Sequence, residues 1–251
     1  MIISRGIKKS FSGKQVLRGV DMQIDSGESL VIIGQSGCGK SVFLKHLVGL
    51  LDPDAGEILV DGDRISNAKR ADVYRIRMKF GVLFQSAALF DSMSVEQNIG
   101  LGLVEHTKMT KGEIDKRVAE CLEMVSLSGI QKQIPSELSG GMRKRVGLAR
   151  AIAMKPQYIL YDEPTTGLDP ITADSINDLI IQMQKELKVT SIIVTHDMVS
   201  AFKIADRLIM LHLGRVIFSG TEQEIKTQSI DIVRRFIAGE SEDKQVVTHY
   251  F

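Results

Sequence analysis

The chain has 251 residues, enough for one domain with a full hydrophobic core and an inserted lobe. Apolar residues make up 43% and charged residues 25%, which is typical of soluble globular proteins and excludes a disordered or fibrous chain. A formal net charge of +1 supplies no basic field for a phosphate backbone, so no nucleic-acid partner is expected. Cys38 and Cys121 form no paired motif, which favours the reducing cytoplasm. No run reaches the roughly 18 apolar residues of a spanning helix, so we expect other chains to make any membrane crossing.

The N-terminal third alternates short apolar pieces with turn residues. The first thirty residues predict a small antiparallel sheet, and the β-branched run at 29–33 predicts a buried strand. From Lys40 the apolar spacing becomes helical, so this segment is predicted as strand, loop and helix. Two short strands are predicted around Asp61-Gly62, and residues 80–84 predict a further buried strand.

The middle and C-terminal parts differ in their pattern. Ser94 and Thr110 each begin a capping box, and apolar residues over 114–125 lie on one helical stripe, which predicts an inserted helical lobe over about 92–154. Strands then alternate with helices, which predicts a parallel, doubly wound α/β sheet that binds ligands at the carboxyl ends of its strands. We therefore predict one domain over 1–239, with its core sheet in about 1–91 and 155–220, and a C-terminal tail over 240–251.

A glycine-rich loop lies between a predicted strand and a predicted helix. It fits the Walker A spacing, in which glycine N–H groups and the following helix start surround a phosphate. Lys40 is expected at the β- and γ-phosphates of ATP, and the Ser41 hydroxyl is expected to ligate Mg²⁺. The alternative, a glycine-rich turn without a ligand, is disfavoured by the flanking elements. The predicted nucleotide-binding residues here are Gly34, Gln35, Ser36, Gly37, Cys38, Gly39, Lys40, Ser41 and Val42.

Two adjacent carboxylates end the apolar strand predicted at 158–161. Asp162 is expected to hold Mg²⁺, mostly through water, as in a Walker B motif. Glu163 is placed to orient and deprotonate the water that attacks the γ-phosphate. A solvated strand end is the alternative, and the Walker A loop in the same chain argues against it.

A second anion site is predicted in the run Leu138-Ser-Gly-Gly-Met142, where Ser139 can cap a helix and Gly140 and Gly141 leave N–H groups open to a γ-phosphate. This run resembles the LSGGQ signature of ABC ATPases, with Met142 in place of Gln. The resemblance implies a P-loop NTPase core with a small antiparallel β subdomain and a helical lobe. It also implies a head-to-tail homodimer with ATP at the interface, because in that family the signature of one subunit closes over the ATP of the other.

Further positions match the family in order along the chain. The resemblance implies that Gln85 is the Q-loop residue that senses the γ-phosphate and Mg²⁺, that Asp169 belongs to the D-loop at the dimer seam, and that His196 is the switch histidine. Phe11 is the candidate for stacking on adenine, with an ordinary core aromatic as the alternative.

The run LFQSAALFDSMSVEQN at 83–98, together with SGGMRKR at 139–145, resembles the ATPases of Mla/Mce-type phospholipid transport systems of double-membrane bacteria and plastids. The resemblance implies an ATPase on the cytoplasmic face of the inner membrane, bound to a permease and an Mce-domain lipid-binding protein. Residues 87–90 are predicted either to receive the permease or to pack in the core. Two alternatives stay open: an importer ATPase for small polar solutes such as amino acids, and a non-transport ABC ATPase acting on DNA or ribosomes.

Overall fold

The computed structural model describes residues 1–240, so the tail predicted over 240–251 lies outside the described residues from position 241 onward. Two sheets organise this part of the chain. The smaller is antiparallel with strand order β2-β1-β4-β5. Its strands are β1 (Ile2–Phe11), β2 (Lys14–Ile24), β4 (Ala55–Val60) and β5 (Asp63–Arg64). A two-residue turn joins β1 to β2, and both of its residues, Ser12 and Gly13, have the positive φ that tight hairpins require.

The larger sheet has six strands in the order β10-β9-β3-β8-β7-β6. Its strands are β3 (Ser29–Ile33), β6 (Phe80–Leu83), β7 (Tyr158–Asp162), β8 (Thr190–Thr195), β9 (Arg207–His212) and β10 (Arg215–Gly220). The pairs from β9 to β6 are parallel, and β10 joins as an antiparallel edge strand. Every residue of β3 and β8 is buried, as expected of strands covered on both faces. The predicted α/β fold is confirmed.

The helices connect the strands and cover both faces of the larger sheet. They are α1 (Lys40–Leu47), α2 (Arg70–Arg77), α3 (Val95–His106), α4 (Lys111–Met124), α5 (Gly140–Ile152), α6 (Pro170–Leu187), α7 (Met198–Ile204), α8 (Glu222–Thr227) and α9 (Asp231–Ala238), with a short 3₁₀ turn at Pro135–Glu137. The predicted capping boxes begin α3 at Ser94 and α4 at Thr110. The apolar pattern did not predict helix α2, because Ile76 is the single buried residue of this helix. Among residues 1–240, no helix has both the length and the apolar character needed to cross a membrane.

The core has two halves, one on each face of the larger sheet. Val31 and Ile33 of β3 belong to one half, which includes the buried faces of α3, α4, α5 and α6. Leu30 and Ile32 belong to the other half, which includes α1 and the smaller sheet. This alternation follows from the two-residue period of a strand. Strand β3 is the third of six in the larger sheet, so the loop that leaves it emerges near the middle of the sheet edge.

Candidate nucleotide-binding and hydrolysis site

The loop between β3 and α1 has a backbone that only glycine can adopt at its first position. Gly34 has φ +150°, and a Cβ there would lie 2.2 Å from the carbonyl oxygen of Leu211. Gly39 is in the left-handed region and precedes the first residue of α1. The loop therefore turns sharply between the sheet and the helix start, where backbone N–H groups and the helix dipole favour an anion.

Lys40 is the first residue of α1 and is almost completely buried, with a side chain that is 6% exposed. Its ammonium donates to the carbonyl oxygens of Gly34 at 2.7 Å and Gln35 at 3.2 Å. The same ammonium lies 3.9 Å from a carboxylate oxygen of Glu163. The loop thus positions a positive charge beside both the predicted phosphate site and the predicted base.

Ser41 and Asp162 meet across the sheet edge, where the Ser41 hydroxyl donates to Oδ1 of Asp162 at 2.8 Å. A hydroxyl and a carboxylate are hard oxygen ligands of the kind that Mg²⁺ prefers, so the pair fits the predicted metal. Within residues 1–240, no cluster of three or more His, Cys, Asp or Glu side chains could hold a metal by itself. Water and the phosphates of a nucleotide would therefore have to supply the remaining ligands of any Mg²⁺ bound here.

Glu163 follows the last residue of β7, and its side chain is only 11% exposed. Nδ1 of His196 lies 2.9 Å from Oε2 of Glu163, a contact in which the ring donates because an ionised carboxylate only accepts. The Thr166 hydroxyl donates to the same oxygen at 3.2 Å, an interaction that the sequence pattern did not reveal. Glu163 also has φ +50°, unusual for a residue with a side chain, and such strain clusters at functional sites.

These elements enclose a cavity of about 250 Å³ at the carboxyl ends of the parallel strands. It brings together Lys40, Ser41, Gln85, Glu163 and His196, which are far apart in the sequence. The remaining lining residues are Val16, Ser36, Gly37, Gly39 and Val42. Val16 was not predicted, because a single valine in a strand carries no signal of a ligand.

Four of the binding residues predicted in the N-terminal part do not line this cavity: Phe11, Gly34, Gln35 and Cys38. Phe11 ends β1 with 42% of its surface exposed and Lys9 over its ring, so it does not line the cavity and its stacking role stays a prediction. Gly34 makes the sharp turn that follows β3, where its backbone packs against Leu211. The Cys38 thiol packs in the core with β3 and α1, and burial raises its pKa even though Lys40 opposes the shift.

The predicted signature residues lie at a separate helix start, where Ser139 is exposed and Gly140, Gly141 and Met142 are half-buried. Ser139 caps α5 by accepting a hydrogen bond from the N–H of Met142 at 3.2 Å. The glycines face the segment around Asp169, since a Cβ on Gly141 would lie 2.7 Å from Cγ2 of Thr172. Asp169 itself caps α6 by accepting from the N–H groups of Ile171 and Thr172. None of the signature residues lines the cavity that contains Lys40.

Residues 87–90 are divided between the core and the surface. Ala87 is buried in the core and Leu89 packs against it. Ala88 and Phe90 line a second cavity of about 480 Å³, together with Phe84 of the same segment. Phe90 is 50% exposed, so part of this segment is available to a partner and part is not.

The chain belongs to the ABC transporter family, whose sequence model matches residues 17–166. It is therefore an ATP-hydrolysing enzyme of that family. It is 43% identical over 235 residues to the probable ribonucleotide transport ATP-binding protein mkl of Mycobacterium leprae, covering 94% of this chain and 68% of that protein. It is 41% identical over 224 residues to the intermembrane phospholipid transport system ATP-binding protein MlaF of Haemophilus influenzae, covering 89% of this chain and 84% of that protein.

A solved structure confirms the fold. The dimeric post-hydrolysis state of the ATP-binding cassette MJ0796 with ADP and Pi superposes with a TM-score of 0.82 at 32% identity. The match covers 88% of this chain and 98% of that cassette. The predicted P-loop core, antiparallel subdomain and helical lobe are therefore the ABC ATPase arrangement.

Proposed function

We propose that the cavity at the sheet edge is the catalytic site and that it takes ATP with Mg²⁺. The convergence of Lys40, Ser41, Glu163 and His196 on one cavity is the observation that carries this proposal. Lys40 and the N–H groups of the loop bind the phosphates. Ser41, Gln85 and Asp162 would hold Mg²⁺, which when bound would neutralise charge on the phosphates.

Glu163 acts as the general base. Its carboxylate takes a proton from water while the water oxygen bonds to the γ-phosphorus, and the bond from that phosphorus to the bridging oxygen of ADP breaks. His196 and Thr166 both bind Oε2 of Glu163, which orients the carboxylate and leaves its other oxygen toward Lys40. Proton transfer needs a base held within hydrogen-bond reach of the water, and these two contacts restrict its rotation.

Two copies of the chain complete the site. The signature residues at the start of α5 have open N–H groups and yet lie outside the cavity of their own chain. A second copy arranged head to tail can bring its Ser139, Gly140 and Gly141 to the γ-phosphate, with Asp169 at the seam. The dimeric state of MJ0796, which is similar over 88% of this chain, supports this assembly.

The same chain drives phospholipid transport through a separate membrane permease on the cytoplasmic face of the inner membrane. The relationship to MlaF and the runs at 83–98 and 139–145 support the lipid cargo. Phe84, Ala88 and Phe90 supply an apolar groove for a permease helix. An Mce-domain lipid-binding protein would complete the system. The relationship to mkl favours a second candidate, an ATPase for the transport of small polar solutes.

Replacing the base tests the catalytic assignment. Glu163→Gln keeps the shape of the side chain and removes its basicity, so kcat should fall by roughly 10²–10⁴ while ATP binding is retained. Glu57→Gln is the matched control, because Glu57 lies on β4 and pairs with the exposed Arg5. Turnover by Glu163→Gln near that of Glu57→Gln would show that Glu163 is not the base.

Purification from membranes tests the cargo. The chain should purify with a permease, an Mce-domain protein and phospholipid detectable by mass spectrometry, and phospholipid added to the reconstituted complex should stimulate its ATPase activity. A periplasmic solute receptor in place of the Mce-domain protein, with stimulation by its solute, would contradict the lipid cargo and support the second candidate.

A further inference from the structure

One face of α5 packs against the end of β6 and the segment that follows it. Lys144, Gly147 and Arg150 are three residues apart, a spacing that places them along one side of a helix. Each of them contacts the backbone or side chains of residues 83–88. This segment contains Gln85, which lines the catalytic cavity. Helix α5 therefore runs from the signature at its start to the Gln85 segment along its length.

Lys144 is a buried cation whose partners all belong to the catalytic site. It is 5% exposed, and its ammonium donates to the carbonyl oxygen of Gln85 at 2.5 Å and to that of Glu163 at 3.2 Å. Burying an ammonium is costly unless it is hydrogen-bonded and compensated by opposite charge. Burial lowers the pKa of Lys144, and the nearby Glu163 and Asp162 carboxylates counteract that shift. One side chain thus joins the segments that follow two different strands.

Gly147 and Arg150 hold the same segment in an unusual conformation. A Cβ on Gly147 would lie 2.7 Å from Leu83 and 3.1 Å from Cβ of Ala87, so the segment packs directly on the helix backbone. Arg150 donates to the carbonyl oxygens of Ala87 at 2.6 Å and Ala88 at 2.7 Å. Both alanines have positive φ, which surrounding contacts must maintain. The backbone next to Gln85 is therefore held by α5 and not by its own preference.

We propose that Lys144 is a positioning residue that couples the signature helix to Gln85 and Glu163. Any displacement of α5 must move or break the two hydrogen bonds of the Lys144 ammonium, and these fix the main chain at both residues. When the nucleotide held by the second copy binds at the start of α5, the effect is thereby transmitted to Glu163, the base, and to Gln85, the γ-phosphate sensor. The proposal rests on the proposed function, because it assumes the catalytic roles of Gln85 and Glu163.

The first test replaces the ammonium with an apolar side chain of similar length. Lys144→Met should lower kcat by roughly 10–100-fold, because small misplacements of catalytic groups have effects of this size. The KM for ATP should change by less than about threefold, since the phosphate loop is untouched. Arg145→Met is the matched control, because Arg145 is the next residue of α5 and also donates two hydrogen bonds, to Val125 and Ser175. Equal losses of kcat in both variants, after correction for any change in Tm, would overturn the proposal.

A double-mutant cycle separates positioning from general destabilisation. If Lys144 acts by placing Gln85, Lys144→Met should lower kcat far less in a Gln85→Ala background than in the wild type. Effects that multiply instead would contradict the proposal. Full activity of Gln85→Ala and Glu163→Gln would refute the proposed function itself, which is a different outcome.

Two conservative variants guard against failure to fold. Lys144→Arg retains a charged donor and should recover part of the kcat that Lys144→Met loses. If Lys144→Met does not fold, Lys144→Gln keeps an amide donor on a shorter side chain and should show the same loss of kcat at little change in KM. If neither folds while Arg145→Met does, Lys144 only stabilises the core and the proposal is wrong.

Discussion

The phosphate loop and the signature segment are both glycine-containing segments at the N-terminus of a helix, and they differ in what surrounds them. In the loop before α1, Gly34 is buried and strained, residues 35–37 are exposed, and Lys40 lies buried beside Glu163. At the start of α5, Ser139 is exposed and Gly140 and Gly141 are half-buried, and the Ser139 side chain is occupied in capping its own helix. The first segment therefore offers an anion site with a buried positive charge, and the second offers backbone N–H groups that need a ligand brought to them.

Mixing two inactive variants tests that division most strongly. Lys40→Ala removes the charge of the loop and Ser139→Arg blocks the signature, so each homodimer should lose ATPase activity by roughly 10²-fold or more. A mixed dimer has one complete site, and an equal mixture should recover about one quarter of wild-type activity at most. ATPase assays on the separate and mixed proteins check this. No recovery on mixing, with dimers shown to exchange, would contradict the shared site.

Adding one methyl group to each segment should have very unequal effects on stability. Gly34→Ala places a Cβ 2.2 Å from a backbone oxygen, and we expect a loss of roughly 3 kcal/mol or more in the free energy of unfolding. Gly140→Ala meets only Cδ2 of Leu168 at 3.6 Å and should stay within about 1 kcal/mol of the wild type. Its ATPase activity should nevertheless fall, because the methyl group crowds the ligand. Urea unfolding and steady-state kinetics measure both effects, and full activity of Gly140→Ala would weigh against the signature as a phosphate site.

Removal of the Ser139 cap separates the structural and functional roles of that residue. Ser139→Ala loses the bond to the N–H of Met142 and should cost about 1 kcal/mol in unfolding free energy. Ser94→Ala is the matched control, since Ser94 caps α3 in the same helical lobe. Both variants should lose similar stability in urea titrations, while Ser139→Ala alone lowers ATPase activity. A parallel loss of activity in the two variants would assign Ser139 to capping only.

The smallest expected effect is on the thiol reactivity of the two cysteines, one in the phosphate loop and one in the helical lobe that contains the signature segment. Cys38 belongs to the phosphate loop and packs into the core, and Cys121 lies in the core of the helical lobe, where burial raises its pKa to about 11. Burial also raises the pKa of Cys38, so both thiols are less ionised than a free thiol and maleimide labelling should still rise with pH above 8.5. Labelling of the folded protein between pH 7 and 10 measures this, with urea-unfolded protein as the control. ATP should slow the labelling of Cys38 and leave Cys121 unchanged, and equal protection of both would contradict the comparison.

Local pattern was sufficient for most of the fold. The strand at 29–33 and the capping boxes at Ser94 and Thr110 were predicted where the structure has them, because period and cap chemistry are properties of neighbouring residues. Helix α2 was missed, since one buried residue makes no stripe. Residues 87–90 could not be divided between core and surface, because burial depends on Gly147 of a helix sixty residues away.

The sequence by itself determined the chemistry of this protein: a phosphate loop, two carboxylates at a strand end and a second glycine-containing helix start, in an order that defines the family. Each of these is local, and residue type and spacing carry it. Tertiary structure decided which groups meet. Only the parallel sheet brings His196 and Lys40 to Glu163, and only the packing of α5 reveals Lys144 between Gln85 and Glu163. Contacts between residues so distant in the chain depend on the whole fold, and no single stretch of sequence contains them.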